Sequence, residues 1–154
     1  MPTVEESIDV KVPLSTAYNQ WTQFEEFPRF MEGVESVTQL SDEKLHWVAN
    51  IGGERREWDA QIVEQKPDQR IAWKSTSGTG NAGVVTFHRI DDTTTRLMLQ
   101  LEIYPEDWKE KVADFTGLVK KQAKNDLQRF KEDIESRGTE TGAWRGEIPQ
   151  KKAG

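Results

Sequence analysis

The sequence predicts one α+β domain: a curved antiparallel sheet of about seven strands around a long C-terminal helix, with two short helices after the first strand. Three observations predict it. Period-two alternation of apolar and polar residues recurs between residues 3 and 103, and helical periodicity replaces it from about 106 to 136. Pro13 and Pro28 bracket a short aromatic-rich interval after the first strand. Since one helix cannot fill the concave face of such a sheet, we expect a gap there.

Length and composition limit the class of protein. The 154 residues suit a single domain, which we assign to residues 1–137. The chain has no cysteine, which excludes disulfides and thiol catalysis, and its net charge of −6 argues against nucleic acid as a partner. No apolar run approaches the ~20 residues of a membrane span, and the acidic N-terminus does not resemble a signal peptide. We therefore expect a cytoplasmic protein.

The N-terminal segment predicts a strand and two short helices. Residues 3–12 alternate with a period of two, and Pro13 ends this strand. Ser15 is a plausible N-cap for a helix over 15–24, and Pro28 separates this helix from a second one. The two helices concentrate large apolar side chains within eleven positions: Trp21, Phe24, Phe27, Phe30 and Met31.

The middle of the chain predicts six further strands, joined by short turns into an antiparallel meander. Their predicted bounds are 34–40, 43–51, 53–65, 70–75, 83–90 and 94–103. The polar run STSGTGN, residues 75–81, is interpreted as a loop. The overlapping SGTGNAG lacks the Lys-Ser/Thr pair of a phosphate-binding loop and precedes a strand, so it predicts a hairpin.

The C-terminal part predicts a long amphipathic helix followed by a tail. An apolar stripe with helical spacing runs over 106–136, and Gly138 is a stop signal. Residues 138–154 lack periodicity, and we expect a mobile tail. Docking of this tail through Trp144 and Ile148 is the alternative.

Few residues could carry chemistry. Both histidines, His46 and His88, fall on strand faces opposite the apolar residues, so we expect them at the surface. No metal-ligand spacing is present, and we predict neither a metal nor a cofactor. Glu6 and Arg56 fall on apolar strand faces, where charge is costly. Glu6 is either part of a fraying strand end or a polar anchor for a ligand. Arg56 either extends to solvent or is such an anchor.

The sequence resembles the START-related superfamily, in particular its bacterial polyketide cyclase/dehydrase-like branch. The likeness is carried by VKVPLSTAYNQWTQFEEFPRFM, REWDAQIVEQKPDQRIAW, TFHRIDDTTTRLMLQLEI and the terminal amphipathic helix, over roughly residues 3–136. The resemblance implies a helix-grip fold around an elongated apolar cavity. It also implies binding of a lipid-, quinone- or aromatic polyketide-like molecule, and some relatives are enzymes.

The chain departs from the aromatase/cyclase members at two positions. Those members carry a cavity-facing Arg on the strand at 53–65 and a Tyr just after the FPRFM-like segment. Alignment places Ile62 at the first position and Val34 at the second. This departure argues against cyclase chemistry and leaves the cavity intact.

Binding of a small hydrophobic molecule is therefore the first functional hypothesis. A cyclase/dehydrase enzyme and a protein-interaction module of the same fold are the alternatives. An enzyme should place a polar group deep in the cavity, whereas an interaction module should show an exposed apolar patch and no cavity. The expected ligand-binding residues are Phe24, Phe27, Met31, Val34, Trp47, Trp58, Ile62, Trp73, Phe87, Phe115 and Val119.

Overall fold

The computed structural model describes residues 3–51, 53–78, 80–103 and 112–149, with the side chains of the last range described from residue 116 onward. Within these ranges the chain forms one sheet, two α-helices and a 3-10 helix. The strands are β1 (Thr3–Val10), β2 (Val34–Gln39), β3 (Lys44–Ile51), β4 (Glu54–Lys66), β5 (Arg70–Gly78), β6 (Asn81–Asp91) and β7 (Thr94–Ile103). The helices are α1 (Leu14–Trp21), the 3-10 helix (Phe24–Arg29) and α2 (Val112–Arg137).

The seven strands form one antiparallel sheet in the order β1-β7-β6-β5-β4-β3-β2. Strands β2 to β7 follow each other as a meander, while β1 pairs with β7 at the far edge and α2 packs against β1. Register shifts interrupt the ladders within β2, β4 and β6. Because bulges of this kind bend strands, the sheet can curve around α2. The predicted helix-grip fold is confirmed.

Period-two alternation identified the buried face of the sheet correctly. In β4, Arg56, Trp58, Ala60 and Ile62 are buried, and the residues between them are exposed or half-buried. A half-buried sheet imposes this pattern because successive side chains point to opposite faces.

Helix α1 begins one residue earlier than predicted. Pro13, with an extended backbone, occupies the N-cap position, and the backbone N–H of Ala17 donates to its carbonyl at 3.1 Å. Ser15 lies inside the helix, where its hydroxyl donates to Asp68 Oδ2 at 2.9 Å. The predicted Ser15 cap is therefore wrong, because the helix begins at Leu14 and places Ser15 within its first turn, after the N-cap position.

The predicted loop over residues 75–81 is too long. Strand β5 continues to Gly78 because its last residues pair with β4, and β6 begins at Asn81, while the pairing of β5 with β6 ends at Lys74 and Ala82. Gly78 has a φ of +79°, and a Cβ there would lie 2.3 Å from the Glu57 carbonyl oxygen. Glycine is needed at this position both for its backbone conformation and for the close approach of β4.

The C-terminal segment 138–149 lies against the domain. Helix α2 ends where predicted, with Gly138 at a φ of +73° and its N–H bonded to the Ile134 carbonyl. Ile148 is 5% exposed and exchanges two backbone hydrogen bonds of 2.9 Å with Gln65. The backbone N–H of Trp144 donates to Thr22 Oγ1 at 3.0 Å. These contacts match the docked alternative named above for residues 138–149; the rest of the expected mobile tail, 150–154, lies outside the described residues, and its mobility stays a prediction.

Candidate ligand-binding cavity

The space expected beneath the sheet exists. A cavity of about 160 Å³ lies between the concave face of the sheet, α2 and the aromatic segment around the 3-10 helix. Its wall is overwhelmingly apolar. Aromatic rings stabilise one side of it, where the rings of Trp47 and Trp58 stack 5.7 Å apart and Phe27 packs against Trp47 at 5.6 Å. Because these rings hold one another in place, the wall is preformed.

Nine of the eleven expected ligand-binding residues line this cavity. The segment around the 3-10 helix contributes Phe24, Phe27 and Met31; the sheet contributes Val34, Trp47, Trp58, Ile62 and Trp73; and α2 contributes Val119. Their contact with a ligand stays a prediction.

The remaining two do not belong to the observed wall. Phe87 is 5% exposed and packs against Tyr18 and Trp21, with ring centroids 5.4 Å and 6.5 Å away, so it belongs to the core. Its side chain is buried, as the alternation along β6 predicts, but it does not line the cavity. The side chain of Phe115 lies outside the described residues.

Neither expected polar anchor lines the cavity. Glu6 is half-buried on β1, opposite Leu99 of β7. Arg56 is only 7% exposed, so it does not extend to solvent; its guanidinium contacts Glu54 Oε2 at 3.3 Å and donates to the Ile51 carbonyl at 3.4 Å. Burial of Arg56 is therefore offset by partners at the strand end.

Four polar residues that sequence reasoning missed do reach the wall: Asn81, Glu102, Gln122 and Asp126. For two of these residues the sequence does contain a pattern that predicts a position near the sheet. Gln122 and Asp126 are four residues apart and each precedes a member of the apolar stripe of α2, so they lie on the shoulder of the face that packs on the sheet.

Asp126 is the most perturbed of these groups. Its side chain is 16% exposed, and burial raises the pKa of the carboxyl to about 7 against the opposing effects of Arg129 and the backbone N–H of Glu32. The Oδ1 atom lies 3.5 Å from Arg129 Nη1 but has no hydrogen-bond partner among the described residues. Trp47 Nε1 is also buried without such a partner. Both atoms are buried behind the cavity surface and face no open space, so their hydrogen-bonding capacity is unused.

A polar groove of about 520 Å³ adjoins the cavity and shares Gly33 and Gln122 with it. A Cβ on Gly33 would lie 2.0 Å from Gln122 Nε2, so the absence of a side chain lets the glutamine amide lie over the backbone. Asn50, Lys121 and Arg129 line the groove on the outer side. Gln122 therefore separates an apolar interior from a polar exterior.

The histidines lie outside the cavity, as predicted. His46 Nδ1 is 2.7 Å from Asp59 Oδ1 and its Nε2 is 3.3 Å from Glu57 Oε1 on the neighbouring strand. The hydrogen bond to Asp59 raises the pKa of His46, with a smaller contribution from Glu57. His88 is exposed and lies 2.9 Å from Thr86 Oγ1.

Comparison with known proteins identifies the family. Residues 10–132 match the model of the family described as polyketide cyclase / dehydrase and lipid transport. The chain belongs to this family. It is also 56% identical over 149 residues, covering 96% of this chain and 99% of the other, to a protein of Streptomyces lincolnensis described as an uncharacterized 17.2 kDa protein in the melC2–rnhH intergenic region.

Solved structures share the fold. The Zhui aromatase/cyclase of a Streptomyces species superimposes with a TM-score of 0.73 at 16% identity, covering 92% of this chain and 98% of that one. A START superfamily protein of Mycobacterium smegmatis gives 0.68 at 16% identity, covering 88% and 95%. The resemblance to START-related cyclases is confirmed, and at these identities it concerns the fold. Among the described residues, no helix is both long and apolar enough to cross a membrane.

Proposed function

We propose that this member of the polyketide cyclase/dehydrase family binds a small hydrophobic molecule in its internal cavity, in keeping with the lipid-, quinone- or aromatic polyketide-like ligands implied by the resemblance. The observation that carries the proposal is the preformed apolar cavity of about 160 Å³. Burying on the order of 200 Å² of ligand surface contributes roughly 5 kcal/mol before the costs of association. Weak to moderate affinity follows from the cavity alone. Cytoplasmic residence stays a prediction.

A pair of adjacent residues on α2 provides a matched test. Ala123 lines the cavity, whereas Lys124 is exposed. Ala123→Leu should fill part of the space and reduce the affinity for p-xylene at least tenfold in a calorimetric titration. Lys124→Leu adds the same side chain outside and should leave the affinity within twofold. Equal affinities of the two variants would contradict binding in this cavity.

A second candidate is an enzyme of the cyclase/dehydrase type, and one observation favours it. Asp126 is a cavity-lining carboxyl whose pKa of about 7 suits proton transfer near neutral pH. The apolar Val34 and Ile62, which line the cavity at the two aromatase/cyclase positions, argue against it.

The enzyme candidate can be tested with a linear poly-β-ketone thioester and chromatographic analysis of cyclised products. Turnover by the wild type that falls at least tenfold in Asp126→Asn would support an enzyme. Identical product formation with both proteins, at the rate of the uncatalysed reaction, would exclude it.

A further inference from the structure

The cavity and the polar groove beside it are adjoining spaces of opposite character. Gly33 and Gln122 line both of them. The cavity wall is overwhelmingly apolar, whereas several side chains around the groove carry N–H donors, among them Asn50, Lys121 and Asn125. A molecule that fills both spaces therefore needs an apolar body and a polar end that accepts hydrogen bonds.

The Gln122 side chain lies at the boundary between the two spaces. It is half-buried, and its amide lies over Gly33, where no Cβ stands in its way. It makes no hydrogen bond to the residues that the structure describes. A change of its rotamer therefore breaks no hydrogen bond within that part of the chain, which favours passage of a ligand between the cavity and the groove.

The charges around the groove favour an anionic end over a cationic one. Among the described residues, the charged side chains that line it are Glu32, Lys121 and Arg129. Arg129 Nη2 lies 2.7 Å from Glu32 Oε2 and Arg129 Nη1 lies 3.5 Å from Asp126 Oδ1, so this guanidinium is already paired. Lys121 is exposed and forms no ion pair within the described ranges. Glu102 lines the cavity but not the groove.

We propose that the ligand is an amphiphilic carboxylate, whose apolar body occupies the cavity and whose carboxylate accepts a hydrogen bond from Lys121 Nζ in the groove. This inference rests on the proposed binding function and specifies the ligand class for it. It makes Lys121 a specificity-determining residue, with the apolar wall supplying most of the affinity. Lysine suits the edge of an apolar site because its long stem packs on apolar surface while its ammonium group stays in water.

The test compares two probes that share a phenylalkyl body, 4-phenylbutyrate and 4-phenyl-1-butanol, by calorimetric titration at about 0.15 M salt, where distant charges are largely screened. The measured quantity is the preference, defined as the dissociation constant of the alcohol divided by that of the carboxylate. The wild type should show a preference of about fivefold, the size of one exposed ion pair at the upper end of its range.

Two charge reversals on neighbouring residues provide the matched comparison. Lys121→Glu should lower the preference at least tenfold, because the carboxylate then meets a like charge. Lys120→Glu makes the same change in net charge at an exposed residue that does not line the groove, and should leave the preference within twofold. Both lysines are exposed, so both variants should fold.

Binding of p-xylene separates the two levels of the proposal. It probes the cavity alone, so Lys121→Glu should leave its affinity within twofold of the wild type. Binding of p-xylene without any preference for the carboxylate, or an equal loss of preference in both variants, would overturn the role of Lys121 and leave the proposed binding function intact. If the wild type binds none of the three probes, the proposed function itself fails, and this inference fails with it.

Discussion

Replacing Asp126 by asparagine should stabilise the fold, and the gain should grow with pH. The folded-state pKa of about 7 lies above the ordinary value of 3.8 because burial disfavours the charged form. The unfolded chain therefore releases this proton at lower pH than the folded one. The contribution of Asp126 to stability is fully present below about pH 4 and is lost as the pH rises to about 7.

The magnitude follows from the size of the shift. Each pKa unit corresponds to about 1.4 kcal/mol, so a rise from 3.8 to about 7 amounts to about 4 kcal/mol. The free energy of unfolding of Asp126→Asn, relative to the wild type, should rise by about this amount between pH 4 and pH 8. Comparing the two proteins at each pH removes the contributions of all other titrating groups.

The assay is urea unfolding followed by tryptophan fluorescence at several pH values. Glu132→Gln is the control, since it neutralises an exposed carboxylate on the same helix and should shift the curve by an amount nearly independent of pH. A difference between Asp126→Asn and the wild type that stays flat from pH 4 to pH 8 would refute the reasoning. It would mean that the Asp126 carboxylate is well hydrated.

Three further outcomes are expected. Trp58→Ala removes a stacked ring from the cavity wall and should weaken p-xylene binding at least tenfold in a calorimetric titration. Glu57→Ala, on the outer face of β4, should leave the affinity unchanged. Equal losses in the two variants would contradict the assignment of the two faces. In an NMR titration, Asp59→Asn should lower the pKa of His46, because the hydrogen bond that raises it is weakened; an unchanged titration would contradict the contact. Ile148→Asp places a charge in a buried site, so limited proteolysis should cleave the C-terminal segment of this variant faster than that of the wild type. Equal cleavage rates in the two proteins would show that docking of the segment adds no protection.

The sheet could be predicted because one of its faces is buried. The alternation of apolar and polar residues then predicts which side chains lie on the buried face, as in β4, where Trp58, Ala60 and Ile62 share that face. Strand ends were less predictable. The polar run Ser75 to Gly78 resembles a loop and ends in glycine, which is depleted in strands, yet Ser75, Ser77 and Gly78 pair with β4. Tertiary pairing outweighs propensity at such positions.

The polar part of the site could not be read from local spacing. Asp126 and Arg129 are three residues apart on a helix, a pattern typical of a solvated ion pair. Only the position of α2 over the sheet decides that Asp126 is buried. Phe87 shows a related difficulty. The alternation along β6 predicts that its side chain points inward, but it does not tell whether the side chain belongs to the core or to the cavity wall. Such distinctions depend on neighbours that are distant in sequence.

The most direct measurement of cavity binding is a crystal structure of the protein equilibrated with bromobenzene, whose bromine is located by anomalous scattering. We expect a bromine peak inside the cavity, in contact with the ring of Trp47 and with α2 near Val119. A strong peak only at the molecular surface, with the interior unchanged, would contradict the account.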